Sequence, residues 1–419
     1  MVRKGLIALL TAAALASPTL AADLRVACYS DGNECEVTTD LARRFMQANP
    51  GVRVSVDQVP YKSIQESLPV QLAAGNGPDI ARVTDFGAIS RYFLDMRPLL
   101  ADAAYWEANF GATLPWMRTG SGDNGIYGLP TQLTVTGPIV NATLFEQAGV
   151  PMPGPKATWD EWAAAAKAAA KATGTQAGMA LDRSGHRFAA GAIAYGAQYF
   201  GANGVPAVTD PGFRAFAERF VRWNKDGTVE REVWAAAGGG AYRDAFEEFA
   251  GGRVVVYVSG SWQVSRLQAS VGDGFDWVVA PPPCGPAACT AMPGGAAFVA
   301  FKTSKAPHEA ARFLDYLASP PVYAEMMART ANIPAHAGLQ AAGVKYDLPA
   351  PAQAALKAFT AAASGISPVA YRLQGYILNR PVFNATVARL SQAIVGELTL
   401  DQAYARIDQD VQSALAASK

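Results

Sequence analysis

The chain has 419 residues and a mass of 44.0 kDa, about two to three times the usual length of one domain, so two lobes are predicted rather than one compact core. Lys and Arg together number 35, Asp and Glu also number 35, half of the residues are hydrophobic and 17% are charged. This is the composition of an ordinary globular protein, and it argues against a disordered chain and against a basic nucleic-acid-binding protein.

Residues 1–22 have the pattern of a secretory signal peptide. Two basic residues precede an uncharged apolar run at 6–15, and small residues follow it. We predict cleavage after Ala21 or Ala22, with an uncleaved anchor as the alternative. The apolar run is shorter than the roughly 20 residues that a membrane-spanning helix needs, so the pattern favours export.

All four cysteines follow this segment. Cys28 and Cys35 have six residues between them, and Cys284 and Cys289 have four. An even number of cysteines in an exported chain predicts disulfide bonds. Three pairings are possible, and such short loops favour the two local ones. A zinc site made by the four thiols is the alternative.

Strand and helix patterns alternate at the start of the exported chain. Strand patterns at 24–28, 52–56 and 79–83 are separated by two helical patterns. This β-α-β-α-β order predicts an α/β fold with a mostly parallel sheet, covered on both faces, whose ligand crevice lies at the carboxyl ends of the strands. Residues 29–31 and 84–86, which directly follow strands, are therefore the first candidates for a site.

The rest of the chain is richer in alanine and in helix signals. Thr158 and Glu161 form a capping box before a predicted helix at 162–173, and Thr399 and Gln402 form a second one. Further helices are predicted at 212–223, 242–249, 307–318 and 321–330, and strands at 254–258 and 298–301.

Five segments resemble a known family and follow one another in the same order. They are residues 74–80 (AGNGPDI), 156–162 (KATWDEW), 313–320 (FLDYLASP), 332–335 (NIPA) and 396–403 (GELTLDQA). They are similar to segments of the extracellular solute-binding proteins that serve carbohydrate ABC importers, and the resemblance covers essentially the whole exported chain. Within that family the layout most resembles that of the sn-glycerol-3-phosphate-binding members.

The resemblance implies the two-lobed periplasmic binding protein fold, in which the chain crosses the hinge three times. One lobe would comprise 23–132 plus 284–333, and the other 133–283 plus 334–419. It also implies a periplasmic monomer that holds a sugar, polyol or glycoside, neutral or anionic, between its lobes. The monomer would deliver this ligand to the permease subunits in the inner membrane, without a cofactor, metal or nucleic acid.

Candidate ligand-binding residues come from the strand ends and from the resemblance. Tyr29, Ser30 and Asp31 directly follow the first strand. Tyr61 and Asp85 occupy positions similar to an aromatic residue and a carboxylate that contact the ligand in the glycerol-phosphate binders. An aromatic ring can cover the apolar face of a sugar, and a carboxylate accepts hydrogen bonds from vicinal hydroxyls. A helix cap is the alternative for Asp85.

The remaining candidates are matched to the family more loosely. Arg372 aligns with an arginine that grips the phosphate in the glycerol-phosphate binders, and a surface ion pair is the alternative. Asn332 replaces a tyrosine of those binders, so one phosphate contact is missing. A core position for Trp262, a turn at Gly294 and Gly295, and a solvated loop at 182–187 are further alternatives. The remaining candidates in full are Thr134, Asp182, Arg183, His186, Ser259, Ser261, Trp262, Gly294, Gly295, Asn332 and Arg372.

An enzyme is the main rival class. The three histidines, His186, His308 and His336, do not form an HExxH motif, and the chain contains neither a GxSxG elbow nor a P-loop. A glycoside hydrolase needs only two carboxylates and stays an alternative. The sequence otherwise predicts capture and release of a ligand without covalent chemistry.

Overall fold

The computed structural model describes residues 22–118, 123–235 and 238–418. The predicted signal peptide therefore lies outside the described residues, apart from Ala22. Across the described ranges, none of the helices combines the length and the apolar composition needed to cross a membrane.

Within those ranges the chain forms eight strands and eighteen α-helices. The strands are β1 Ala22–Cys28, β2 Val52–Gln58, β3 Ile80–Val83, β4 Gly128–Asn141, β5 Ala177–Leu181, β6 Val254–Gly260, β7 Trp277–Val279 and β8 Pro293–Ala300. The helices are α1 Glu34–Ala48, α2 Tyr61–Ala73, α3 Ala103–Phe110, α4 Leu114–Met117, α5 Ala142–Ala148, α6 Trp159–Thr173, α7 Gly185–Ala194, α8 Pro211–Lys225, α9 Arg231–Ala235, α10 Phe246–Ala250, α11 Val264–Val271, α12 Pro307–Ala318, α13 Pro320–Thr330, α14 Ala337–Ala342, α15 Ala350–Ala363, α16 Pro368–Gln374, α17 Asn379–Val395 and α18 Leu400–Ala417. Short 3-10 helices lie at Gly87–Tyr92, Arg97–Leu99 and Ser261–Gln263.

The predicted β-α-β-α-β unit is confirmed. Strand β1 pairs in parallel with both β2 and β3. Leu24, Val26 and Cys28 alternate as the buried residues of β1, and α1 contributes buried residues such as Leu41 and Phe45. Strand β3 continues the sheet by pairing antiparallel with β8. The carboxyl ends of β1 and β3 therefore lie side by side.

Strand β4 belongs to two sheets and is buried along its whole length. Residues 128–135 pair antiparallel with β8, and 136–141 pair antiparallel with β6 and β7. Strand β6 in turn pairs in parallel with β5. The two sheets therefore meet along a single strand that passes from one to the other.

Both capping boxes and both local cysteine pairings are confirmed. The side chain of Thr158 caps α6, and that of Thr399 caps α18. Disulfide bonds join Cys28 to Cys35 and Cys284 to Cys289. The described chain thus has no free thiol, and the zinc alternative is wrong.

Two elements differ from the sequence-based prediction. The helix predicted at 242–249 is wrong in its first half, because α10 begins only at Phe246. The backbone N–H of Ala245 instead donates to the carboxylate of Asp182 at 3.0 Å, and Arg243 forms an isolated β-bridge with Arg183, so the chain before α10 is tied to the residues that follow β5. The alternative of a turn at Gly294 and Gly295 is also wrong, since both residues lie inside β8.

Candidate ligand-binding site

A cleft lies at the carboxyl ends of β1 and β3, where the two sheets face each other. It opens into an outer space that shares several of its lining residues, and Ser30 lines this outer part. The other predicted residues that line the cleft are Tyr29, Asp31, Tyr61, Asp85, Thr134, His186, Trp262 and Gly295. Their contact with a ligand stays a prediction.

The cleft has two walls, one with Tyr29 and Tyr61 and the other with Tyr242 and Trp262. Aromatic rings cover much of the first wall. The rings of Tyr29 and Tyr61 pack with centroids 4.8 Å apart, and the hydroxyl of Tyr61 lies 2.8 Å from the Thr84 hydroxyl. The ring of Tyr242, on the opposite wall, is nearly perpendicular to that of Tyr61, with an interplanar angle of 84° and centroids 6.0 Å apart. The cleft is therefore narrow enough for aromatic side chains of its two walls to meet.

Arg380, in the first turn of α17, joins the two walls. Its Nε donates to Asp85 Oδ2 at 3.1 Å, and its Nη2 donates to the Tyr61 hydroxyl at 3.3 Å. With its amide oxygen turned toward this guanidinium, Gln65 accepts from Nη1 and Nη2 at 3.1 and 2.9 Å. Among the described residues, the second carboxylate oxygen of Asp85 accepts only a long 3.4 Å bond, from Ala88 N. The hydrogen bond of Asp85 to Arg380 on the opposite wall is thus stronger than its capping bond to Ala88 N.

Arg187 lies on the second wall, in the first turn of α7. Its guanidinium stands 4.2 Å from the centroid of the Trp262 ring, and its Nε donates to Asp182 Oδ2 at 3.2 Å. Asp182 itself is fully buried behind the cleft and also accepts from the hydroxyls of Tyr257 and Ser259 at 2.8 and 2.7 Å. Burial raises the pKa of Asp182, while Arg187 and these hydroxyls oppose that rise. Asp182 and Ser259 therefore support the wall and do not line it.

His186 lines the cleft as a neutral side chain. Burial lowers its pKa to about 3, and the positive charge of Arg187 acts in the same direction. Its Nε2 donates to the carbonyl of Pro293 at 2.9 Å, which leaves Nδ1 to accept a long 3.4 Å bond from Arg187 Nη1. At neutral pH His186 therefore adds no charge to the cleft.

Three more predicted residues lie outside the cleft for identifiable reasons. Arg183 is buried and donates to the backbone carbonyls of residues 234, 239 and 241, so it fixes that loop instead of facing a ligand. The hydroxyl of Ser261 accepts from Val135 N at 3.2 Å. Gly294 lies in β8 beside Thr134, where an added Cβ would come within 2.7 Å of the Thr134 hydroxyl.

The last two predicted residues lie farther from the cleft. Asn332 is buried beside Glu34, with its Nδ2 3.5 Å from Oε1. Arg372 is exposed at the end of α16, where its guanidinium covers the ring of Phe200 at 4.1 Å from the centroid. The structure thus separates Arg372 from the cleft and brings Arg187 and Arg380 into it, although neither was among the sequence-based candidates.

The charges of the cleft are balanced. Arg187 and Arg380 line it together with Asp31 and Asp85. The described residues contain no cluster of three or more His, Cys, Asp or Glu side chains that could hold a metal ion. The arrangement can donate and accept many hydrogen bonds around stacked rings, and it offers a bound molecule little net charge.

Known proteins resemble this chain in both sequence and structure. A binding protein of Brucella abortus is 25% identical over 329 residues, which are 75% of this chain and 76% of that protein. An ABC substrate-binding protein from Listeria monocytogenes, solved with cycloalternan, superposes with a TM-score of 0.77 at 16% identity, covering 94% of this chain and 99% of that one. A cyclic alpha-maltosyl-1,6-maltose binding protein from Arthrobacter globiformis gives 0.71 at 20% identity, covering 94% and 98%.

These matches confirm the predicted fold class, a two-lobed α/β periplasmic binding protein fold with helices flanking each sheet. At these identities the solved structures establish the fold alone. The sequence profile described as bacterial extracellular solute-binding protein matches residues 36–324, well over half of the chain. The chain therefore belongs to the family of bacterial extracellular solute-binding proteins.

Proposed function

We propose that this protein captures a neutral sugar or a similar polyhydroxylated ligand in the cleft and hands it to the permease of an ABC importer. The observation that carries the proposal is the make-up of the two walls. Tyr29 and Tyr61 lie on one wall, Tyr242 and Trp262 lie on the other, and charged groups stand among the rings. Rings pack on the apolar faces of sugars, while carboxylates and guanidinium groups bind their hydroxyls.

The charge pairing favours a neutral ligand over a phosphate. Arg380 is already paired with Asp85, and Arg187 with Asp182. Asp31 adds a further carboxylate to the cleft wall. An incoming anion would lie beside these carboxylates, whose like charge opposes it. Binding of sn-glycerol-3-phosphate or a glycerophosphodiester, suggested by the sequence resemblance, is the alternative that the experiment below separates.

Hinge closure is the mechanism that we propose for capture. The lobes would be 23–132 plus 284–333 and 133–283 plus 334–419. One hydrogen bond supports this division, because it ties two of the places where the chain would cross. Leu133 N donates to Ile333 O at 2.9 Å. Near the third place, Cys284 N donates to Ala157 O at 2.9 Å, so the start of the 284–333 segment contacts the second lobe. A ligand that bonds to both walls would shift the equilibrium toward the closed form.

The family membership and the relatives support the rest of the proposal. Two of the similar solved structures are described by the cyclic oligosaccharides that they bind, which favours a carbohydrate here. We propose that the protein acts as a periplasmic monomer and releases its ligand chemically unchanged. A glycoside hydrolase would instead release cleaved sugar.

Thermal melting of the purified protein tests this function. The panel contains maltose and other neutral sugars, polyols, glycosides, sn-glycerol-3-phosphate and sugar sulfonates. We expect a neutral sugar to raise the melting temperature, because a ligand at 100 times its dissociation constant adds about 2.7 kcal/mol of stability.

The other outcomes are equally informative. A shift with phosphates or sulfonates alone would contradict the neutral-ligand proposal and favour the glycerol-phosphate alternative. The absence of a shift with every compound would contradict binding of these classes. The ligand that binds should also be recovered intact after incubation, since cleavage would favour the hydrolase.

A further inference from the structure

A fully buried arginine lies directly beneath one wall of the cleft. Arg82, in β3, is only 1% exposed. Burying a guanidinium destabilises the folded protein unless the group is well paired. Its Nε has no hydrogen-bond partner among the described residues. An arginine that leaves a buried donor unsatisfied is a poor choice for stability alone, so its contacts with the site require an explanation.

Those contacts all lead to the loop that the Cys28–Cys35 disulfide closes. Arg82 Nη1 donates to the backbone carbonyl of Tyr29 at 2.8 Å, and the guanidinium stands 4.2 Å from the centroid of the Tyr29 ring. The same Nη1 is 3.6 Å from Asp31 Oδ2. One side chain therefore contacts both residues of this loop that line the inner cleft.

Glu34 completes the arrangement from the start of α1. Its Oε1 lies 3.5 Å from Arg82 Nη2. Its Oε2 accepts from the backbone N–H groups of Asp31 and Gly32 at 3.0 and 2.9 Å. The loop is thus held at its backbone by Glu34 and at its side chains by Arg82.

We propose that Arg82 is a positioning residue, which fixes the Tyr29 ring and the Asp31 carboxylate for contact with a bound sugar while Glu34 balances its charge. The part that concerns the sugar rests on the proposed function. The coupling between Arg82 and Asp31 does not, because it exists in the protein without a ligand.

The charges around Asp31 give this role a measurable signature. Burial raises the pKa of Asp31 to about 6, with Arg82 lowering it, Glu34 raising it and Arg187 lowering it. The phenols of Tyr29 and Tyr242 also face it. As pH falls through 6, Asp31 gains a proton and loses an acceptor for sugar hydroxyls. If only the ionised form binds, affinity should fall about tenfold between neutral pH and pH 5.

Two substitutions should move this titration in opposite directions. Arg82→Gln removes a positive charge, so the pKa of Asp31 should rise by at least about one unit. Glu34→Gln removes a negative charge but keeps an acceptor oxygen, so the same pKa should fall. Purely structural damage would not give shifts of opposite sign.

Carbon-13 NMR of the unliganded protein measures the titration, with the Asp31 carboxyl signal assigned by its loss in Asp31→Asn. An Asp31 midpoint that is unchanged in Arg82→Gln would overturn the proposal. Thermal melting shows which variants are folded. If Arg82→Gln does not fold, the Asp31 titration is measured in Arg82→Lys and in Glu34→Gln instead. The expected fall of the Asp31 pKa in Glu34→Gln then decides the question.

Affinity for the panel sugar with the largest melting shift tests the consequence for binding. We expect Arg82→Gln to lose at least about tenfold in affinity, and to lose less when Asp31 is already asparagine. Equal losses in both backgrounds would contradict positioning of Asp31. If no panel sugar binds the wild-type protein, the proposed function fails while the NMR result still judges the coupling.

Discussion

Replacing Arg380 by alanine is expected to weaken sugar binding by about 2 kcal/mol, which is roughly 30-fold in the dissociation constant. The guanidinium connects α17 to Asp85 and Tyr61 on the opposite wall. Without it, the closed form loses a cross-cleft ion pair, and Asp85 keeps a half-buried charge with no cation beside it. Part of the sugar's binding energy must then be used to close the cleft.

Calorimetric titration measures the affinity, and small-angle X-ray scattering measures the closure. We expect Arg380→Ala to have a larger radius of gyration than the wild-type protein in the absence of sugar. The double variant with Asp85→Ala should lose less than the sum of the two single losses, because both changes remove the same contact.

Arg372→Ala is the matched control, since it also removes an arginine from the C-terminal part of the chain. Its guanidinium lies on the exposed side, over Phe200, so affinity should change by less than about twofold. Loss of affinity in Arg372→Ala with none in Arg380→Ala would contradict the assignment of Arg380 to sugar binding and would favour Arg372 as the binding arginine.

Local patterns were sufficient to predict much of the fold. The alternation of Leu24, Val26 and Cys28 predicted β1, and the capping residue Thr158 predicted the start of α6. These signals act over a few residues, so no knowledge of distant partners is needed. The expectation that a ligand binds at the carboxyl ends of parallel strands likewise placed Tyr29 and Asp31 on the cleft, because such strands present these ends at one edge of the sheet.

The choice between neighbouring arginines could not be predicted in this way. Arg183 and Arg187 lie four residues apart, and only the second faces the cleft. The difference depends on where α7 begins, which is at Gly185. Glycine is needed there, because a Cβ added at this position would lie 2.5 Å from the Cα of Phe383. That close approach joins segments almost 200 residues apart, and nothing in the loop sequence reports it.

The same limit applies to the C-terminal arginines and to Tyr242. Arg372 lies at the end of α16 and Arg380 in the first turn of α17, so the turn between the two helices decides which one enters the cleft. Tyr242 was predicted to be helical from its neighbours. It faces the cleft because Asp182, a residue far away in sequence, holds Ala245 N and shortens the helix. Site residues set by such long-range bonds have no local pattern.

Asp182→Ala is expected to be the most destabilising of the substitutions considered, lowering the free energy of unfolding by about 3–5 kcal/mol. The carboxylate is fully buried and accepts from Arg187, Tyr257 and Ser259 as well as from Ala245 N. Removing it leaves a mostly buried guanidinium without its anion and several donors without an acceptor. Asp182→Asn should cost less, because the amide oxygen still accepts.

Urea unfolding of the unliganded protein measures this loss through the shift of its midpoint. The matched control is Asp23→Ala, whose carboxylate is 69% exposed and 3.7 Å from Arg53, and which should change stability by less than about 0.5 kcal/mol. Asp182→Ala should also weaken sugar binding, since Arg187 loses the bond that orients it over Trp262. If the urea midpoint of Asp182→Ala equals that of Asp23→Ala, the hydrogen bonds of Asp182 do not hold the second wall together. The orientation of Arg187 would then need another cause.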